Sequence, residues 1–208
     1  MAERPAVIVL AAGQGSRFLG TDHKLAQRLG DRAVLDHTLR SALASGLPVV
    51  VVTTQGLAGV ARGSVAARDV VVIAQVGTPE HSGLGMGHSI SVGVAARPQA
   101  MGWLVLPGDM PLIQPQTLQA VALQLAHHPV VYAQYKGRRG HPVGFSSELY
   151  SELVGLSGDE GARRLTARYP AFGLEVDDPG ILLDVDTEAD LQQLRDRVAA
   201  AGAGNTGR

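Results

Sequence analysis

Cysteine is absent from the 208 residues. That excludes a disulfide framework and thiolate chemistry, and it suits a reducing cytoplasm. Nor does one sign of charge dominate: 18 Lys and Arg against 19 Asp and Glu leave a net charge of −1. A nucleic-acid polymer or an anionic membrane surface, as main partner, would demand a basic excess. No apolar run reaches the length of a membrane span, and the opening "MAERPAVIVLAAG" lacks the basic-then-apolar pattern of a signal peptide. Repeats and low-complexity linkers are missing too. We therefore expect a cytoplasmic protein with residues 1–199 forming one domain and 200–208 a flexible tail.

What is present is a rhythm. "AVIVLA" (6–11), "VVVVTT" (49–54), "DVVVIAQV" (69–76) and "WLVLPG" (103–108) are continuously apolar, as strands covered on both faces must be. Helical patterns lie between them. Leu35, Leu39 and Leu43 fall at i, i+4, i+8 in a segment stopped by Gly46 and Pro48, and 86–97 and 115–127 read alike. The alternation predicts a doubly wound, Rossmann-like three-layer α/β/α sandwich with a mostly parallel sheet. After a strand at 130–135 we expect a basic loop, "KGRRGHP", helices at 147–156 and 159–168, a short strand pair at 172–176 and 181–183, and a last helix at 187–199.

Three stretches carry chemistry. "LAAGQGSRF" follows the first strand, where open α/β sheets bind ligands. Its small residues let backbone N–H groups approach an anion; Arg17 adds a planar fork and Lys24 a point charge. Neither a dinucleotide fingerprint nor a P-loop fits, because Phe18 stands at the third glycine position and Gly20 is followed by Thr21 and Asp22. Taken alone, the stretch is equally a plain strand-to-helix turn.

The second stretch is "LVLPGDMP", where Asp109 ends an apolar strand. A carboxylate there is costly to desolvate unless a cation or hydrogen bonds compensate, and Mg²⁺ is one such cation. A helix cap or turn is the plainer reading. In the third, "ILLDVDTEADL", we expect Asp184 and Asp186 to face opposite ways, so that one reaches a metal and the other does not. Thr187 and Asp190 there have the spacing of a capping box. None of the seven histidines has metal-ligand spacing; only His141 sits within a motif, and Trp103 reads as core packing.

"LAAGQGSRF" with Lys24 downstream, "GMGHSIS", "LPGDMP", "GRRGHPVGF", "SGDEGARRL" and "DVDTEADL" occur in the order and spacing of the MobA-like nucleotidyltransferases. The likeness runs from about residue 7 to 195, and within the family it most resembles the molybdenum-cofactor cytidylyltransferase branch. The resemblance implies a fold of the nucleotide-diphospho-sugar transferase type and transfer of a nucleotidyl group from an NTP, with Mg²⁺, to a phosphorylated acceptor. It makes Leu10, Ala11, Ala12, Gly13, Gly15, Ser16 and Arg17 the nucleotide loop, with Lys24 beside the phosphates. Arg17, Lys24 and Asp109 become catalytic, and Asp109 and Asp186 the metal ligands.

Gly85, Met86, Gly87 and Ser89 would edge the base and ribose, while Arg139, His141 and Asp159 would meet the acceptor. Ala12 in "LAAG" points to CTP, because guanylyl relatives typically carry a glycine pair there. The implied partners are small molecules, with a transient molybdoenzyme contact as the only protein one. The alternatives are a sugar-phosphate acceptor, a cofactor-handling module without catalysis, and an NAD(P)-dependent oxidoreductase. The last would want an acidic residue after the second strand, where Thr53, Thr54 and Gln55 stand instead.

Overall fold

The computed structural model describes residues 4–15, 18, 23–76, 85–158 and 161–203. At its centre lies β1 (Ala6–Ala11), paired in parallel with β4 (Val49–Thr53) on one side and β6 (Gly102–Pro107) on the other. Residues 6 to 9 of β1 are fully buried, and successive side chains enter different cores. Val7 and Val9 pack with Leu35 and Leu39 of α1 (Val34–Ala44) and Leu118 and Val121 of α4 (Pro115–Gln124). Ala6 and Ile8 pack with Ile90 and Val94 of α3 (Met86–Ala95), with Trp103 and with Phe145. A two-residue side-chain period with helices on both faces explains why these strands are apolar at every position. Each fully buried Ile or Leu contributes roughly 1.5–3 kcal/mol.

The sheet has seven strands in the order β5-β4-β1-β6-β8-β7-β9. Here β5 is Val70–Val72, β7 Val130–Tyr135, β8 Arg138–Ser146 and β9 Ala171–Glu175. β8 alone runs antiparallel to its neighbours, and the rest pair in parallel. The expected three-layer, mostly parallel α/β fold is the observed one. The expected strand at 69–76 is shorter, although Val76 returns to bridge Gly13 beside β1.

Three local expectations differ. "KGRRGHP" is not a loop: Arg138 to Pro142 are strand, and the turn shrinks to Lys136 and Gly137, both at positive φ (49° and 74°). A two-residue hairpin turn needs those angles, and polar residues at the end of a strand that borders a pocket mask the strand signal. Residues 181–183 are not a strand either, because Pro179–Leu182 form a 3₁₀ turn capped by Asp178. β9 pairs instead with β7, Val130 opposite Ala171. A small hairpin of β2 (Arg28–Leu29) and β3 (Arg32–Ala33) and a short α2 (Ala58–Arg62) carried too little periodicity to be read. α5 (Tyr150–Val154) and α6 (Arg163–Arg168) lie inside the expected ranges, and α7 (Glu188–Ala203) runs past residue 199. Among the described residues, no helix is long and apolar enough to cross a membrane.

Candidate active site

A pocket of about 700 Å³ opens beyond the carboxyl ends of β1 and β6, the place an open α/β sheet offers a ligand. Leu10 and Ala11 at the end of β1 line it with Ala12, Gly13 and Gly15 beyond, Met86 and Ser89 at the start of α3, and Arg139 and His141 from β8. Lys24, Asp109 and Asp186 complete it. Residues predicted from stretches 170 positions apart therefore share one cavity. Ser16, Arg17 and Asp159, expected in the nucleotide and acceptor loops, lie outside the described residues. Gly85 and Gly87 do not line the pocket. Gly87 turns instead toward the 157–158 segment, its N–H bonding Gly158 O at 2.9 Å, and a side chain there would meet Ser157 O at 2.7 Å.

The glycine-containing loop is held at two consecutive carbonyls. Val76 N–H donates to Ala12 O at 3.1 Å, and the Ala12 side chain is buried. Next to it His23 Nε2 lies 2.9 Å from Gly13 O, while its Nδ1 accepts from Leu25 N–H at 3.2 Å. Only the tautomer with hydrogen on Nε2 makes both bonds. Gly15 has φ +63°, a left-handed angle that glycine adopts freely. A Cβ at Gly15 would lie 3.4 Å from Lys24 Cγ, so the lysine stem runs along the loop. His23 is a site residue that reading the sequence missed; its signal was adjacency to Lys24.

Asp109 is positioned from two sides. Gly108 N–H continues the ladder onto Leu10 O at 2.8 Å, and the buried Thr38 hydroxyl of α1 donates to Gly108 O at 2.9 Å. Opposite, Val185 N–H donates to Asp109 O at 3.0 Å. Asp186 precedes the start of α7, where Thr187 and Asp190 form the expected reciprocal cap. Asp190 accepts from Thr187 N at 2.8 Å and from Asp186 N at 3.2 Å, and Asp190 N–H donates to Thr187 Oγ1 at 3.2 Å. These bonds hold the Asp190 carboxyl below its ordinary pKa, the Thr187 hydroxyl contributing most. The helix start therefore also orients Asp186.

Asp184 departs from expectation. The expectation that it diverges from Asp186 fails, because residues two apart on an extended chain share a face. Asp109, Asp184 and Asp186 each bring a carboxylate oxygen within 4.8 Å of the others. Lys24 Nζ donates to Asp109 at 2.7 Å and to Asp186 at 2.9 Å. Burial works against the ammonium, but the two carboxylates outweigh it and hold the Lys24 pKa above its ordinary value. Asp184 is exposed at the pocket's rim, yet partial desolvation of its carboxyl, joined by repulsion from Asp109 and Asp186, raises its pKa. Burial also lowers His141, which therefore sits in the pocket as neutral imidazole at pH 7, with Arg139 pushing the same way and Asp109 opposing.

One ammonium does not satisfy this cluster. Asp109 Oδ1 is shut away from solvent with no hydrogen-bond partner among the described residues, as are His141 Nδ1 and Ser89 Oγ. An orphaned carboxylate oxygen beside two further carboxylates is the oxygen-rich, anionic donor set that Mg²⁺ or Mn²⁺ prefers, so the residues fit a divalent ion.

A glycine-containing loop, a lysine and a carboxylate cluster meet at one end of a mostly parallel sheet, an arrangement suited to a polyphosphate and a divalent ion. The model of the MobA-like NTP transferase domain matches residues 7–172. The purine catabolism protein PucB of Bacillus subtilis is 31% identical over 208 residues, spanning 90% of this chain and 94% of that protein. The chain belongs to the MobA-like NTP transferase family. The bifunctional protein GlmU of Alkalilimnicola ehrlichii is 38% identical over 122 residues, 58% of this chain, and the match covers only 25% of GlmU's length. Rv0371c from Mycobacterium tuberculosis H37Rv superposes with a TM-score of 0.79 at 30% identity, covering 94% of this chain and 99% of that one. A structure of Rv0371c in complex with manganese superposes at 0.74 with 29% identity, over 94% of this chain and all of the other (100%).

Proposed function

We propose that this protein transfers CMP from CTP to the terminal phosphate of a molybdopterin-type cofactor in the cytoplasm, releasing pyrophosphate with Mg²⁺. The observation that carries the reading is the convergence of Lys24, Asp109, Asp184 and Asp186 in the same pocket as the Ala11–Gly15 loop.

In the proposed reaction an acceptor phosphate oxygen bonds to the α-phosphorus, and the bond from that phosphorus to the β-phosphate bridging oxygen breaks. The acceptor is already anionic, so no strong base is required. The obstacles are repulsion between anions and the charge that builds on pyrophosphate, and fixed positive groups answer both. The loop from Ala11 to Gly15 lets the triphosphate approach the backbone closely, and Lys24, firmly protonated, neutralises its oxygens. Asp109 and Asp186, with Asp184 beside them, would hold the divalent ion, which when bound supplies Lewis-acid charge at the phosphate oxygens. Arg139 lies against the Tyr132 ring, 4.4 Å from its centroid, which restrains the guanidinium at the pocket's β8 wall for an anionic acceptor. His141 beside it offers neutral imidazole.

The buried Ala12 methyl supports CTP, since it stands where the resemblance distinguishes cytidylyl from guanylyl branches. The test is a panel of NTPs with Mg²⁺, assayed for pyrophosphate with and without molybdopterin. Release that requires both CTP and molybdopterin is the expected outcome. Release with a sugar phosphate instead would keep the nucleotidyl transfer and replace the acceptor, and no release under any pairing would leave a cofactor-handling module.

A further inference from the structure

The carboxylate cluster already contains one cation of its own. Lys24 Nζ sits 2.7 Å from Asp109 Oδ2 and 2.9 Å from Asp186 Oδ1, with only 12% of its side chain exposed. We infer that Lys24 is a resident counter-ion of the metal carboxylates, displaced when the divalent ion and the nucleotide enter, so that the two bind cooperatively through this one side chain. This rests on the proposal that these aspartates hold a divalent ion.

Electrostatics and geometry carry the inference together. Three carboxylates with oxygens within 4.8 Å repel one another, and in a partly buried site that repulsion is weakly screened. The ammonium relieves it in the nucleotide-free protein and holds Asp109 and Asp186 at ligating separation. A divalent ion on the same two carboxylates would face that ammonium across a few ångströms, and like charges at that range oppose each other strongly. The ion therefore binds poorly while Lys24 stays. Lys24 has somewhere to go: its stem lies along Gly15, so rotation of its outer bonds carries Nζ from the carboxylates toward the loop that receives the triphosphate. The backbone need not move, because His23 pins it to Gly13 O and Leu25 N. Phosphate oxygens draw the ammonium over, the carboxylates are freed for the metal, and each ligand raises the affinity of the other.

The experiment is Mn²⁺ binding followed by electron paramagnetic resonance on the full chain, wild type and Lys24→Met, with CTP binding measured separately in EDTA. The expected result is that Lys24→Met binds Mn²⁺ alone at least tenfold more tightly than wild type while binding metal-free CTP more weakly. Equal or weaker Mn²⁺ binding by the variant overturns the inference: equality leaves Lys24 a phosphate contact only, and weakening leaves it a structural brace. Thermal melting guards against misfolding. Lys24→Met should melt lower than wild type in EDTA and gain more from Mn²⁺; a variant that Mn²⁺ does not restore also overturns the inference. If neither protein binds Mn²⁺, with or without CTP, the metal reading under the proposed function fails together with this one. That outcome differs from a failed exchange, in which wild type still binds Mn²⁺.

Discussion

The N–H of Val185 donates to the carbonyl oxygen of Asp109 at 3.0 Å, joining two segments 76 positions apart. Through that bond the irregular stretch bearing Asp184 and Asp186 is fastened to the loop bearing Asp109. Its N-terminal side is fastened by Asp178, which is 2% exposed and accepts from Gln114 N and Thr117 Oγ1 in the segment following Asp109. The carboxylate cluster is thus held by backbone and buried side-chain bonds outside the cluster itself, and the expected effects of substitution follow from that division.

Asp109→Ala should abolish metal-dependent transfer while leaving the fold intact, because the side chain makes no bond except to Lys24 among the described contacts. Loss of a metal carboxylate removes several kcal/mol of transition-state stabilisation, a fall of at least about 10³-fold in kcat/KM. Circular dichroism alongside the pyrophosphate assay checks this; appreciable turnover in a folded variant would remove Asp109 from the role.

Asp178→Ala should act on stability. It strands the N–H groups of Gln114 and Gly180 and the Thr117 hydroxyl, all bonded to this carboxylate at 2.7–2.9 Å. Unpaired buried donors cost roughly 1–3 kcal/mol each, so a loss of about 3 kcal/mol or more is expected in urea unfolding. A loss under 1 kcal/mol would contradict the latch.

Gly140→Ala tests the contact between β8 and the 3₁₀ turn. An added Cβ would lie 2.3 Å from Ile181 O, a backbone atom that cannot step aside alone. Separating the strand that carries Arg139 and His141 from the segment that carries Asp184 should cost about 1–3 kcal/mol and lower the midpoint of melting by several degrees. Transfer activity should fall with it. An unchanged melting curve would show that the two elements do not touch as described.

The pH dependence of stability should carry a His141 component. Burial depresses its pKa below the ordinary 6.5, so the unfolded chain takes up a proton before the folded one does. Above about pH 6.5 both states are neutral there and stability is at its plateau. As pH falls from 6.5 through the folded pKa, stability is lost, and below it the loss levels off. Comparing urea midpoints at pH 7.5 and 5.5 for wild type and His141→Asn checks the sign: the variant should show the smaller drop.

Nucleotide preference is open to thermal-shift titration with each NTP plus Mg²⁺. CTP should raise the melting temperature more than GTP does at equal concentration. A clear preference for GTP would overturn the reading of Ala12.

Much of this molecule was legible along the chain. Unbroken β-branched runs at 6–11, 49–53 and 103–107 declared strands buried on both faces, because a strand between two helical layers has no face to spare for polar residues. Thr187 and Asp190 declared a helix start by spacing alone, whereas Asp109 after an apolar strand read by itself more plainly as a cap or turn than as a carboxylate in need of a cation. Such properties are local: they depend on residues within a few positions of one another. Tertiary structure alone decided the rest. Asp184 and Asp186 met Asp109 because Asp178 and the Val185–Asp109 backbone bond fasten their segment beside it. Arg138 and Arg139 became strand because Tyr135 and Gln134 of β7 pair with them across the hairpin, which their own polar side chains did not advertise. Lys24 found its carboxylates 85 and 162 positions away, and a contact of that range depends on how the whole sheet closes rather than on any pattern its neighbours carry.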